Sequence, residues 1–306
     1  MSRRLRLLLG VLLLAASQAG AQAKERDPEA LALASVHVAF APLEPRPGES
    51  ELLVARDAQR TVPIASVTKL MTGLVVVESG ADLDEWLTIE QWDPIPPNNR
   101  FSRLRPGSQA RRRDLLRMAL QASENLAAHT LARHHPGGRD AFVAAMNATA
   151  ERLGMAGSHF VGATGLSPGN VSSAADLLRL LRQAHAQPLL REYSTARSFD
   201  ARFRSPGYGL HFGNTNRLLG RSSWQVELSK TGYLDEAGRC LVMVVELEGR
   251  DYAMVLLDSF GRLSPIGDAG RLRRWLATGD PGRVAPAAAR YARTRGEEKA
   301  AAELAR

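Results

Sequence analysis

Ser66 and Lys69 stand three residues apart in the stretch IASVTKLMTGLVVVE (64–78). On a helix, positions i and i+3 share a face, so the lysine amine would lie beside the serine hydroxyl. A hydroxyl with an adjacent base is the recurring pattern of nucleophilic catalysis. Ser66 also falls where a helix begins, and the first backbone N–H groups there have no partner within the helix. Its own N–H is then available to a developing oxyanion, with the helix dipole in support. A lysine base must be neutral when it takes the proton, so its ordinary pKa of about 10.4 must fall.

A rival serine lies in GLSPG (165–169), which fits the G-x-S-x-G pattern of a nucleophile elbow. In an elbow the backbone N–H after the serine binds the oxyanion. Here that residue is Pro168, which has no N–H. Ser167 therefore reads as part of a loop between helices.

Two further motifs give the Ser66–Lys69 pair a context. Residues 123–125 read Ser-Glu-Asn, near a break between two helical stretches, and residues 230–232 read Lys-Thr-Gly at a strand end. S-x-x-K, S-x-N and K-T-G in this order are the signature of penicillin-binding proteins and serine β-lactamases. The chain resembles the low-molecular-weight penicillin-binding proteins of the D-Ala-D-Ala carboxypeptidase family, and within it the endopeptidase type. IASVTKLMT, SENLAAHTLARHHPGG, FVGATGLSPGNVSSAADLLRLL, NTNRLL and KTGYLDEAGRCLVMV carry the resemblance, which spans roughly residues 60–277.

The resemblance implies the roles. Ser66 attacks a D-Ala carbonyl and forms an acyl-enzyme, Lys69 takes its proton, and Ser123 relays a proton toward the leaving amine. Asn125 positions the substrate or the lysine. Lys230 faces Lys69 across the cleft, lowers its pKa and attracts the substrate carboxylate, which Thr231 also holds. Gly232 lets the backbone come close. The N–H of Tyr233 completes the oxyanion hole with that of Ser66, while the Tyr233 ring reads as packing. Glu124, the variable middle position, is expected to have no catalytic part. Peptidoglycan stem peptides are the implied substrate, β-lactams the implied covalent inhibitors, and no cofactor is implied.

Three reactions compete. A DD-endopeptidase cuts D-Ala–diaminopimelate cross-links, a DD-carboxypeptidase trims terminal D-Ala, and a β-lactamase needs a fast deacylation base. No E-x-x-L-N stretch of the class A type is present, which disfavours the last. Family carboxypeptidases carry a C-terminal β-rich domain and an amphipathic anchor, and residues 281–306 show no such pattern. The endopeptidase is the expectation, with a non-hydrolytic peptidoglycan-binding module as the reading from another class.

Arg3, Arg4 and Arg6, then an apolar run over Leu7–Ala16, then Ala21-Gln22-Ala23, have the layout of a secretory signal peptide (1–23). The expected location is the periplasm. The formal charge is +8, and without those three arginines 37 basic and 32 acidic residues leave +5. No basic run with interleaved aromatics points to nucleic acid. Single Cys240, in the apolar run CLVMVVEL, reads as a buried thiol. His129, His134 and His135 lack a carboxylate in ligand spacing and read as capping a helix end, so no metal site is expected.

These residues need a scaffold. ASVHVAF (34–40) and ELLVAR (51–56) read as an N-terminal hairpin, and WQVELSK, CLVMVVELE and YAMVLLDS as three C-terminal strands. Helices fall at 67–77, at two stretches within 114–135, over RDAFVAAMNATAERLG, over SAADLLRLLRQAHA and over AGRLRRWLA. Residues 82–113 look irregular. The fold class is α+β: one antiparallel sheet of about five strands flanked by helices, with a helical insertion over about 82–200, in a domain spanning 24–280. The resemblance adds the serine β-lactamase/penicillin-binding transpeptidase-like fold. Residues 281–306, rich in Ala, Arg and Glu, lack a broad apolar face. They are expected to be poorly ordered and not to anchor the chain in a membrane.

Overall fold

The computed structural model describes residues 31–92 and 102–304, so the expected signal peptide, the linker 24–29, Pro94, Pro96 and Pro97 lie outside the described residues. Strands β1 (Ser35–Pro42) and β2 (Val54–Arg56) form the expected hairpin, and β3 (Val62–Pro63) leads into a 3-10 turn at Ala65–Val67 and helix α1 (Thr68–Glu78). A helical middle follows. It holds the short pair β4 (Trp86–Thr88) and β5 (Gln109–Arg111), then α2 (Arg112–Gln121), α3 (Asn125–Arg133) and α4 (Gly138–Arg152). After β6 (Val171–Ser172) come α5 (Ala174–His185), α6 (Pro188–Thr195) and the hairpin β7 (Ser198–Phe203)–β8 (Tyr208–Gly213). The chain then returns to the main sheet through β9 (Gln225–Leu234), β10 (Gly238–Leu247) and β11 (Arg250–Ser259), and ends in α7 (Ser264–Thr278) and α8 (Pro286–Leu304).

The five-stranded sheet is antiparallel at every pairing, in the order β2-β1-β11-β10-β9. Both ends of the described chain thus supply the sheet, and β9, which carries Lys-Thr-Gly, is an edge strand. Side chains alternate between faces along each strand. Ala39, Ala41, Val242, Val244, Val255 and Leu257 join the core shared with α1, α2 and α5. Val38, Phe40, Met243, Met254 and Leu256 face the other way and pack with Leu272, Trp275 and Leu276 of α7.

Helix α1 is buried from Thr68 to Val76, so it has no polar face to spare and runs through the middle of the molecule. Gly73 permits that packing: a Cβ there would stand 3.1 Å from a Leu190 methyl of α6 and 3.2 Å from a Leu120 methyl of α2.

Several expectations change. Segment 82–200 is not a helical insertion throughout, because α5 lies directly on β1, β10 and β11 of the main sheet. The irregular stretch 82–113 contains the β4–β5 pair. Helix α6 and the β7–β8 hairpin were not anticipated. Pro188 in the first turn of α6 was a readable start signal. Residues 286–304 of the tail are helical in the structure. They form α8, whose Tyr291 hydroxyl donates to Asp258 Oδ1 at 2.7 Å and whose Arg295 pairs with Asp258 Oδ2 at 3.3 Å. A buried carboxylate at the end of β11 needs such partners, which is why a segment without an apolar stripe still docks.

Candidate active site

The nucleophile candidate sits on strained backbone. Ala65 has φ +49°, and the 3-10 turn it opens presents Ser66 before α1 begins. A non-glycine residue in this region costs of the order of 1–3 kcal/mol and persists only where surroundings impose it. They do so here: Thr68 Oγ1 donates to Ala65 O at 2.8 Å, and Gly165 packs so close that a Cβ on it would fall 2.0 Å from Ala65 O. Gly165 itself has φ +76°. The GLSPG segment is thus a wall of the site. Asn170 holds it, accepting from Val161 N–H and donating to Gly162 O and Thr68 Oγ1. Ser167 is exposed and its Oγ accepts from Gly169 N–H at 3.1 Å, a local turn apart from the cleft.

Lys69 lies one helical turn below Ser66 and is fully buried. Its Nζ donates to Ser66 Oγ at 2.9 Å, Asn125 Oδ1 at 2.6 Å and the Thr164 carbonyl at 2.6 Å. Burial without a paired carboxylate lowers its pKa to about 7, and the Glu124 carboxylate opposes that fall. Burial and Lys230 together were the expected causes. The structure places the fall of Lys69 on its own burial, and Lys230 is itself driven well below the ordinary range, first by burial and then by Lys69.

The second wall is the break between α2 and α3. Ser123 takes φ +60°, which ends one helix and starts the next while turning its hydroxyl to Lys230, whose Nζ stands 3.0 Å away. Lys230 Nζ also donates to Thr231 O at 2.9 Å. Glu124 caps α3: its carboxylate accepts from Ala127 N–H at 2.6 Å and from the Ser102 hydroxyl at 2.7 Å. As the variable position of its motif it was expected to stand aside. Its burial raises its pKa, and its neighbour Asn125 bonds Lys69 directly, so it belongs to the site's electrostatics.

The third wall is β9. Gly232 brings the strand against the turn, where a Cβ would stand 3.0 Å from Ile64 O and 3.2 Å from Ser66 N. Any larger residue would push apart the strand and the Ser66 amide. Thr231 Oγ1 donates to Thr215 Oγ1 at 2.7 Å. The Tyr233 ring is exposed, with its hydroxyl on Asp235 at 2.6 Å and the Arg239 guanidinium 3.6 Å above its centre.

Ser66, Ser123, Asn125, Thr231, Gly232 and Tyr233 open onto one cleft of about 820 Å³, while Lys69 and Lys230 support it from beneath. All eight residues expected from the sequence therefore converge. Thr164, Thr215, Arg217, Arg239 and Arg262 were missed; the last four line the cleft and Thr164 lies under it. Thr164, Thr215, Arg217 and Arg239 lie in stretches similar to the family, but no motif there singled them out. Of the three histidines, His134 alone is a helix C-cap, bonded to Thr88 O. His135 meets Phe142 edge-on, and His129 is buried against Trp92. Cys240 is buried, and its thiol points to Ala237 O at 3.5 Å. Among the described residues no group of three His, Cys, Asp or Glu side chains could hold a metal, and no helix is long and apolar enough to cross a membrane.

This fold, with a serine–lysine pair under a K-T-G edge strand, defines a serine-type peptidase of the penicillin-binding class. The chain belongs to the D-alanyl-D-alanine carboxypeptidase family, whose pattern matches residues 49–261. It is 46% identical over 249 residues to the D-alanyl-D-alanine endopeptidase of Pseudomonas aeruginosa, covering 81% of this chain and 80% of the relative. Over 240 residues it is 44% identical to the D-alanyl-D-alanine endopeptidase of Escherichia coli K12, covering 78% and 77%. Among solved structures it is similar to the Streptomyces K15 DD-transpeptidase, with TM-score 0.72, 26% identity and coverage of 81% of this chain and 97% of that one. Penicillin-binding protein D2 of Listeria monocytogenes in its ampicillin-bound form matches with TM-score 0.68 and 29% identity, covering 81% and 98%.

Proposed function

We propose that this chain is a periplasmic serine DD-endopeptidase that opens D-Ala–diaminopimelate cross-links in peptidoglycan and is acylated by β-lactams. The observation that carries the chemistry is the buried Lys69 amine, 2.9 Å from Ser66 Oγ and poised near neutral pH. Neutral Lys69 takes the Ser66 proton as Oγ attacks the D-Ala carbonyl. The N–H groups of Ser66 and Tyr233 hold the oxyanion. Ser123, bonded to Lys230, passes a proton to the leaving amine of the acceptor stem. Water then hydrolyses the ester, with proton transfers reversed. Lys230 and Thr231 receive the carboxylate beside the scissile bond, and Asn125 orients both Lys69 and the acyl branch.

Endopeptidase specificity is supported by the relatives that bear that name at 46% and 44% identity. Export is supported by the N-terminal basic–apolar–small-residue pattern. The test is twofold. A fluorescent penicillin should label the wild-type protein covalently and leave Ser66→Ala unlabelled; labelling of Ser66→Ala would overturn the nucleophile. Purified cross-linked muropeptide dimers should be converted to monomers. Release of D-Ala from pentapeptides with no dimer cleavage would replace the endopeptidase by a carboxypeptidase.

A further inference from the structure

The catalytic cleft does not close at Ser123 and Asn125. Both residues also line a second groove of about 320 Å³ that continues on the far side of the α2–α3 break, bounded by Arg103, Glu124, Phe212 and Gly213. Among the described residues, the guanidinium of Arg103 is the one cation of this groove. Its Cζ stands over the Phe212 ring, 4.6 Å from its centre, and one nitrogen donates to His211 O at 2.7 Å. The ring contact and that bond hold the guanidinium and use one of its nitrogens, and among the described residues it makes no ion pair. A guanidinium held in this manner suits bidentate recognition of a carboxylate. Glu124 lines the same groove, but its carboxylate turns to Ala127 N–H and the Ser102 hydroxyl, and among the described residues it forms no ion pair with Arg103. The surface beyond carries further arginines laid on aromatic rings, with Arg105 on Tyr208, Arg117 on Phe199 and Arg204 on Trp86.

The geometry points to a carboxylate subsite at Arg103, next to the catalytic residues, that takes a free carboxylate of a peptidoglycan stem peptide as the stem leaves the cleft past Asn125. This inference rests on the peptidoglycan-peptidase reading above. A cross-linked substrate continues as peptide on both sides of the scissile bond and carries free α-carboxylates along its stems. A cleft that is followed, past Ser123 and Asn125, by a groove with Arg103 fits such a substrate. Arg103 touches none of Ser66, Lys69 or Lys230, so its part is binding, not proton transfer.

The test pairs two substrates with two variants. Muropeptides with free stem carboxylates and the same muropeptides with those carboxylates amidated are cleaved by wild type, Arg103→Ala and Arg103→Lys. Benzylpenicillin, which carries no stem carboxylate, reports the integrity of Ser66 and Lys69. Expected for wild type is at least a tenfold preference in kcat/KM for the free carboxylate, as a charge-assisted bond of about 1.5–3 kcal/mol gives. Arg103→Ala should lose that preference through KM, Arg103→Lys should keep part of it, and the penicillin acylation rate should be unchanged in both. An equal loss on free and amidated substrates, or a parallel fall in penicillin acylation, overturns the subsite. If wild type releases only terminal D-Ala, the endopeptidase reading fails instead. The preference is then read on free and amidated pentapeptides, where its absence in wild type again overturns the Arg103 assignment.

Discussion

Two regions of this molecule bury charge in opposite ways. Under the cleft, Lys69 and Lys230 are buried against neutral acceptors: hydroxyls, an amide oxygen and carbonyls. At the other end, Asp268 and Asp258 are equally buried but compensated. Asp268 accepts from Ala34 N–H, Ser35 N–H and Ser35 Oγ and pairs with Arg271 at 2.9 Å, tying the first strand to α7. Asp258 holds Tyr291 and Arg295 of α8. A buried ion with a counter-ion keeps its charge and fastens elements together. A buried ammonium with only dipolar partners is pushed toward its neutral form, which is the form a proton acceptor needs. The same desolvation is offset in one place and used in the other.

Giving the cleft a charge that cannot be surrendered should break the comparison most severely. Lys69→Arg keeps a cation beside Ser66 and cannot deprotonate, so the second-order rate of penicillin acylation should fall by about 10²–10⁴-fold. A fall below fivefold in stopped-flow fluorescence would mean that Lys69 is not the base. On the compensated side, Asp268→Ala leaves Arg271 and three donors without their acceptor. Urea denaturation should show a loss of about 3–5 kcal/mol, with the acylation rate of the folded fraction unchanged. An unaltered midpoint would refute the tether.

A smaller effect concerns His129, buried against Trp92, whose pKa is pushed down to about 4 by burial and then by Arg133 and Arg139. Between pH 6.5 and 4 the unfolded chain binds a proton at this site that the folded chain excludes, so stability falls as pH falls through that window. The slope is at most about 1.4 kcal/mol per pH unit for one proton. His129→Gln should flatten that part of the stability–pH curve; an unchanged slope would place the acid sensitivity elsewhere. The finest test is of Glu124. Wild-type acylation should rise with pH through about 7 as Lys69 loses its proton. Glu124 favours the protonated amine, so Glu124→Gln should move that limb to lower pH. A shift to higher pH would contradict the assigned sign.

Much of the site was legible because its motifs are local. Short spacings carry Ser66–Lys69, Ser123–Asn125 and Lys230–Gly232, and a break between two helical stretches marked the place of Ser123. Glu124 was not legible, because its part depends on where its carboxylate turns, toward the first turn of α3 and Ser102. Nor was Thr164, which contributes only a carbonyl. The scaffold followed the same division. Alternation and apolar runs located all five strands of the main sheet, whereas α6, the β7–β8 hairpin and the docking of α8 depend on partners distant in sequence. In α8 the hold is Asp258, 33 residues before Tyr291.

By itself the sequence determined which chemistry this protein carries: a hydroxyl and an amine at helical spacing, a serine–asparagine pair and a lysine–threonine–glycine strand end, ordered as in a penicillin-binding peptidase. It also determined that a two-residue period must build the sheet. Only the tertiary structure decided that β9 is an edge strand pressed against the Ser66 turn, that Ala65 and Ser123 adopt left-handed backbone, and that both lysines lie out of water. The physical reason is that a pKa and a strained dihedral are set by what surrounds a group. For Lys69 those surroundings are Ser66, Asn125 and Thr164, and the last two lie 56 and 95 residues away in the chain.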